Sequence, residues 1–233
     1  MNQKPHAMLT FGGIWCLVVF VAGPVLAVEP QDVVGPANAA KLNPIFDPQS
    51  FWYTPLPDTV VLDSDSDKLV AAFKRQKKVN KKDIVAINTE SYASPIYIAE
   101  MNTPRIAVCV EHCAEMGEKA DFKGLAMRFA AVPMPAFAQP ACGEDSEMTI
   151  FQPSTDTMWE FWRAKKNAHG EWQACWGGRM DKVSKSSGIW PNPFGTTATG
   201  LPFAGGQITP EELEAREIKH VIGIALVQSD KTF

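Results

Sequence analysis

The chain has 233 residues, 22 Lys and Arg against 26 Asp and Glu, a net charge of −4, and hydrophobic residues at 45%. This weakly acidic balance gives no basic face for a nucleic-acid partner. The apolar content is ample for a buried core, and the length suits one domain of sandwich type.

The N-terminus, MNQKPHAMLTFGGIWCLVVFVAGPVLAVEP, has a short polar stretch carrying Lys4, an apolar run from Leu9 to about Leu26, and small-residue chemistry around Ala27. We read residues 1–27 as a secretory signal peptide. A membrane anchor is the competing reading. Gly12, Gly13, Gly23 and Pro24 interrupt the run, whereas a spanning helix needs about 20 apolar residues. The expectation is therefore a secreted protein, extracellular or periplasmic, with no stable membrane insertion once the signal is removed. Cys16 lies inside the apolar run and is read as part of the signal.

Cys109, Cys113, Cys142 and Cys175 remain, an even set in an exported chain, which predicts two disulfides. An extended strand from Cys109 to Cys113 spans about 13 Å, too far for a bridge. Partners at Cys142 and Cys175 are thus favoured over a local loop. CVEHC also offers thiols beside His112, but no second cluster with zinc spacing accompanies it, so no metal and no cofactor are expected.

Residues 28–57 are rich in Pro, Asn and Gly without periodicity and read as an extended arm, pinned by Phe51, Trp52 and Tyr53. The main domain, a β-sandwich, is placed at 58–233. DSDSDKLVAAFKRQKKV predicts a first short helix, acidic at its start, basic at its end, with Leu69, Val70 and Phe73 at helical spacing. Asp63, Asp65 and Asp67 resemble the opening of a calcium loop. Lys68 and Lys74 occupy the positions where that loop needs Gly and Glu, so helix capping is preferred. RQKKVNKKD reads as a solvated helix end before it reads as a polyanion site.

DIVAINT, PIYIAE and PRIAVCV read as strands. KGLAMRFAAVPMP is a weaker strand candidate, and the following loop presents Asp145. A meander then runs through EMTIFQ, a PSTD turn, TMWEFWRAKK, an NAHG turn and EWQACWGGRM, with Gly170 suited to positive φ. Alternation puts Met158, Glu160 and Trp162 on one face and Trp159 and Phe161 on the other. We expect Trp159 and Phe161 in the core and Glu160 and Trp162 facing a groove. Trp172 and Trp176 share a face of the next strand. Thr209, Pro210 and Glu212 mark the capped start of a second short helix, and HVIGIALV reads as a strand with His220 at its mouth.

QPACGEDSEMTIFQPSTDTMWEFWRA, WGG, FGTTATGLPFAGGQITPEEL and EIKHVIGIAL together resemble a large group of secreted bacterial proteins, common in actinobacteria, with a jelly-roll-like domain. The resemblance is carried by Asp145, Trp159 with Glu160, Gly195 to Ala198, and Ile218 with His220. It implies an all-β fold: a two-sheet antiparallel sandwich of jelly-roll or concanavalin-like type with two short helices. Val221 stands where that group usually has Ala, and those proteins continue further after the histidine.

No nucleophile elbow, phosphate loop or HExxH motif occurs. The enzyme reading is carbohydrate chemistry. Glu160 paired with Asp145 or Asp181 would supply the two carboxyl groups of a glycoside hydrolase. A polysaccharide lyase would use His220 as base with Arg163 or Arg179 as the cation beside a uronate. Trp162, Trp176, Arg179 and Asp181 are the expected substrate-binding residues, with polysaccharide or cell-wall glycan as partner. A glycan-binding domain would keep the exposed aromatic residues without a converging acid pair. A structural or surface-interaction protein would bury its tryptophans and leave no groove.

Overall fold

The computed structural model describes residues 44–80 and 87–224. The proposed signal peptide, most of the arm, the first residues of DIVAINT and the end of HVIGIALV lie outside them. Three sheets organise the described residues. The central one has the order β1–β5–β6–β9, built from β1 (Ile96–Ile98), β5 (Met148–Gln152), β6 (Thr157–Trp162) and β9 (Trp176–Asp181). A second has β3 (Cys109–Val110) beside β8 (Trp172–Ala174) and β7 (Lys165–Lys166); the third pairs β2 (Arg105–Ile106) with β4 (Val132–Pro133). The fold is thus sheet-rich, with mixed and antiparallel sheets. The expected antiparallel rule fails at two pairings, since β1 runs parallel to β5 and β3 parallel to β8. Long connections separate both pairs in sequence, which is the condition parallel neighbours require.

TMWEFWRAKK and EWQACWGGRM, each expected as one strand, both break between sheets. At Arg163 the backbone takes φ 54°, and β7 leaves the plane of β6 to pair with β8. Cys175 is the corresponding break between β8 and β9, its amide donating to the Trp162 carbonyl at 3.0 Å. The PSTD turn is a single 3-10 turn closed by Asp156 in the left-handed region. Gly170 has φ 80° in the NAHG turn, as its sequence requires.

Both faces of the central sheet are covered. Met148, Ile150, Trp159 and Phe161 point into a core with Leu125, Phe129, Val132, Trp172, Trp176 and Phe194. Phe151, Met158 and Met180 point the other way, into a core with Ile45, Phe46, Trp52, Val183, Trp190 and Ala204. The second core is closed by the arm. The Trp52 indole donates to the Gly188 carbonyl at 2.9 Å, and the Tyr53 hydroxyl accepts from the Ile45 amide at 2.9 Å. Gly177 has φ 152°, and a Cβ there would strike the Glu160 carbonyl, so β9 approaches β6 closely at that point.

Two helices match their sequence signals. α1 (Ser66–Asn80) begins beside the Asp triplet, with the Asp63 carboxylate accepting from the Asp65 amide at 2.8 Å. α4 (Pro210–Ala215) carries the complete Thr209/Glu212 capping box. Two more helices correct the expectation. KGLAMRF lies in α2 (Phe122–Arg128) and its C-terminal cap, not in a strand; Asp121 caps α2 by accepting from the Gly124 amide at 2.8 Å, and α3 (Phe203–Gly206) is a single turn. Phe122, Leu125 and Phe129 are spaced for one helical face, a signal diluted by Gly124 in the middle. Residues 220–224 form no strand, so His220 does not stand at a strand mouth.

Candidate functional site

Glu160 is the most enclosed of the predicted site residues. Its carboxylate has no solvent exposure, which overturns its expected place in a groove. One oxygen accepts from Thr149 Oγ1 at 3.2 Å and the Ala204 amide at 3.0 Å; the other accepts from Thr196 Oγ1 at 2.7 Å and the Phe203 amide at 3.2 Å. The carboxylate is therefore a clamp, holding the Gly195-to-Ala204 loop and the first turn of α3 against the sheet. Burial pushes its pKa up, against the opposing pull of those hydrogen bonds.

The other predicted acids and His220 occupy separate places. The Asp145 carboxylate accepts from the Trp162 indole at 2.9 Å, and Arg163 lies over that indole at 4.5 Å while pairing with Glu115 at 2.6 Å. His220 is buried against Glu212, with Nε2 3.1 Å from its carboxylate and Nδ1 2.7 Å from the Val221 carbonyl. Burial alone would raise the Glu212 carboxyl; hydrogen bonds from Thr209 and His220 overcome it and hold the group below its usual range. A further acid escaped the sequence reading. Glu147 is buried, accepts from Ser94 Oγ at 3.0 Å, and is held above its usual range by desolvation, with Asp145 and Glu160 adding to the shift.

Of the tryptophans expected to line a groove, Trp176 is packed inside and Trp162 is partly covered. Trp52, Trp159, Trp172, Trp176 and Trp190 are buried, and Trp162 is half-buried. Trp176, expected to bind substrate, instead meets Phe122 edge-on at 5.8 Å and stacks on Phe194 at 5.9 Å. Of the four cysteines, Cys113 and Cys175 form a disulfide with Cα atoms 5.5 Å apart, whereas Cys109 and Cys142 are free and exposed. One bridge thus replaces the expected two. Glu111 lies beside Cys113 and Cys175, but the disulfide occupies both thiols, so that cluster has no thiolate to offer a metal.

Two predicted residues do meet in an open feature. Arg179 and Asp181, at the end of β9, line a cleft of about 360 Å³ together with Asp121, Gly124, Met127, Arg128 and Phe194. Asp181 holds Arg179 in place, accepting from Nε at 2.9 Å and from Nη2 at 2.6 Å. Arg128 lies over the Phe194 ring at 4.2 Å, and its buried Nε has no hydrogen-bond partner. Arg128 escaped the sequence reading because its segment looked like a strand. Its position at the C-terminal end of α2 was legible only through the Asp121 cap and the Phe122, Leu125, Phe129 spacing.

A buried donor without an acceptor costs about 1–3 kcal/mol, and a guanidinium fork suits a planar carboxylate. The cleft therefore combines the Arg128 guanidinium, a second cation fixed by its neighbour, and two carboxylates in its lining. Comparison of the chain with protein-family models, characterised proteins and solved structures finds no match in any of the three.

Proposed function

We propose that the protein is an exported, non-catalytic binding protein for acidic polysaccharide, with its site in the cleft between α2 and β9. The observation that carries this reading is the presence of two guanidinium groups, Arg128 and Arg179, in the lining of that cleft. A uronate unit matches the lining. Its carboxylate pairs with Arg128 and Arg179, while its hydroxyls donate to Asp121 and Asp181. The signal-like N-terminus and the Cys113–Cys175 bridge support export, and the resemblance to secreted jelly-roll proteins belongs to the same proposal. In it, the central sheet is one layer of a sandwich and the β3–β8–β7 sheet is part of the other.

Catalysis is not included, because Glu160 is enclosed and hydrogen-bonded, Asp145 is bound to Trp162 and His220 to Glu212. A second reading, a structural or surface-interaction protein with no small-molecule site, is favoured by the burial of the tryptophans. Titration with oligogalacturonate and with neutral cellooligosaccharide separates the two. Saturable binding of the uronate, lost in Arg128→Ala, supports the cleft; equal indifference to both sugars supports the structural reading.

A further inference from the structure

We propose that α1 docks the protein on an anionic lipid surface. α1 carries Lys68, Lys74, Arg75, Lys77 and Lys78 against Asp67, with Asp63 and Asp65 just before it and Lys68 paired to Asp65 at 2.6 Å, in a chain whose overall charge is −4. At 100° per residue, Leu69 and Phe73 fall one above the other with Val70 beside them, Lys68, Arg75 and Lys78 fall on the opposite side, Lys74 borders Val70, and Lys77 ends the apolar stripe one turn after Phe73. The apolar face is uncovered: Leu69, Val70 and Phe73 are 36%, 50% and 38% exposed, and neither core cluster takes any of them. The chain entering the helix extends that surface, with Val61 91% and Leu62 73% exposed.

A helix with an apolar stripe and a basic opposite face lies in the plane of a membrane interface, its apolar side chains among the acyl boundary and its lysines snorkelling to the headgroups. No helix among the described residues is long and apolar enough to cross a membrane, so contact through α1 is peripheral. A second copy of the chain is a poorer occupant, because facing α1 helices would bring two basic clusters together. A nucleic acid would use the lysines and leave Leu69, Val70 and Phe73 in water. An anionic bilayer uses both faces, and charge complementarity selects it.

The test is co-sedimentation of the full chain with vesicles of phosphatidylcholine alone and of phosphatidylcholine mixed with phosphatidylglycerol. The apolar run at residues 9–26 carries no charge, so the part of binding that depends on phosphatidylglycerol reports on basic residues. We expect that part to fall about 30-fold in the double variant Lys74→Ala, Lys78→Ala, at roughly tenfold per 1.4 kcal/mol and about 1 kcal/mol per basic residue. It should also fall in Leu69→Ser, Phe73→Ser, whose sites are exposed and outside both cores. Salt should release the wild-type chain from the anionic vesicles, a readout that needs no variant. Binding that ignores phosphatidylglycerol, resists salt, or survives intact in the lysine variant overturns the proposal.

Discussion

The two faces of the central sheet treat a buried polar group in opposite ways. On one face, the Glu160 carboxylate accepts four hydrogen bonds and is sealed beneath the Gly195-to-Ala204 loop. On the other, Arg128 stacks on Phe194 beside an open cleft with its Nε donor unused. A charge whose hydrogen-bonding capacity is fully met by its own chain has no capacity left for a ligand; it is there to specify the fold. A guanidinium that lines an open cleft is where a ligand can reach the molecule. By this criterion the acid that looked catalytic in the sequence is held within the fold, and the proposed binding function rests on the arginine instead.

Substitutions can break each side of that contrast. The Cys113–Cys175 bridge closes a separation of 62 residues and ties the loop after β3 to the break between β8 and β9. Cys113→Ser with Cys175→Ser is expected to cost up to about 4 kcal/mol in a denaturant titration, on the loop-entropy model. Glu160→Ala leaves two backbone amides and two hydroxyls facing a cavity, and should cost about 3 kcal/mol or more in the same experiment. Arg128→Ala should do the reverse, leaving stability within about 1 kcal/mol of wild type while weakening uronate binding about 10- to 100-fold by calorimetry.

The smallest effect sharpens the contrast through pH. The folded-state pKa of Glu160 is raised by burial, as is that of Glu147. A raised carboxyl favours the folded state when protonated, so its contribution is present below the ordinary carboxylate range and is lost as pH rises through the raised value. Glu212 is lowered and has the opposite sign; its contribution is present above the ordinary range and lost as pH falls through the folded value. Melting temperature measured from mildly acidic to neutral pH should therefore decline less steeply in Glu160→Gln than in the wild type, although the variant starts from a lower stability. An unchanged slope would mean that Glu160 does not titrate in that window.

Local signals were legible wherever a residue acts on its near neighbours. The Thr209/Glu212 capping box, the acidic start of α1, the NAHG turn at Gly170 and the alternation that buries Trp159 and Phe161 all depend on contacts within a few residues. What alternation could not supply was what lies against the opposite face. Glu160 was placed correctly across the strand from Trp159, but the loop that covers it arrives from 36 to 44 residues away. The breaks at Arg163 and Cys175 were hidden for a related reason: strand propensity is continuous through both, and the change of sheet follows from pairing partners distant in sequence. Arg128 was obscured by Gly124, which lowered the helical signal of its segment.

The contrast between the two faces is tested most directly by Glu160→Gln, assayed with wild type for release of reducing or unsaturated ends from polygalacturonate and for binding of its oligomers. The account predicts binding without product by the wild type, and binding retained by the variant at temperatures where circular dichroism shows it folded. Product released by the wild type and abolished in the folded variant would make Glu160 a catalytic acid and contradict its assignment as a structural clamp.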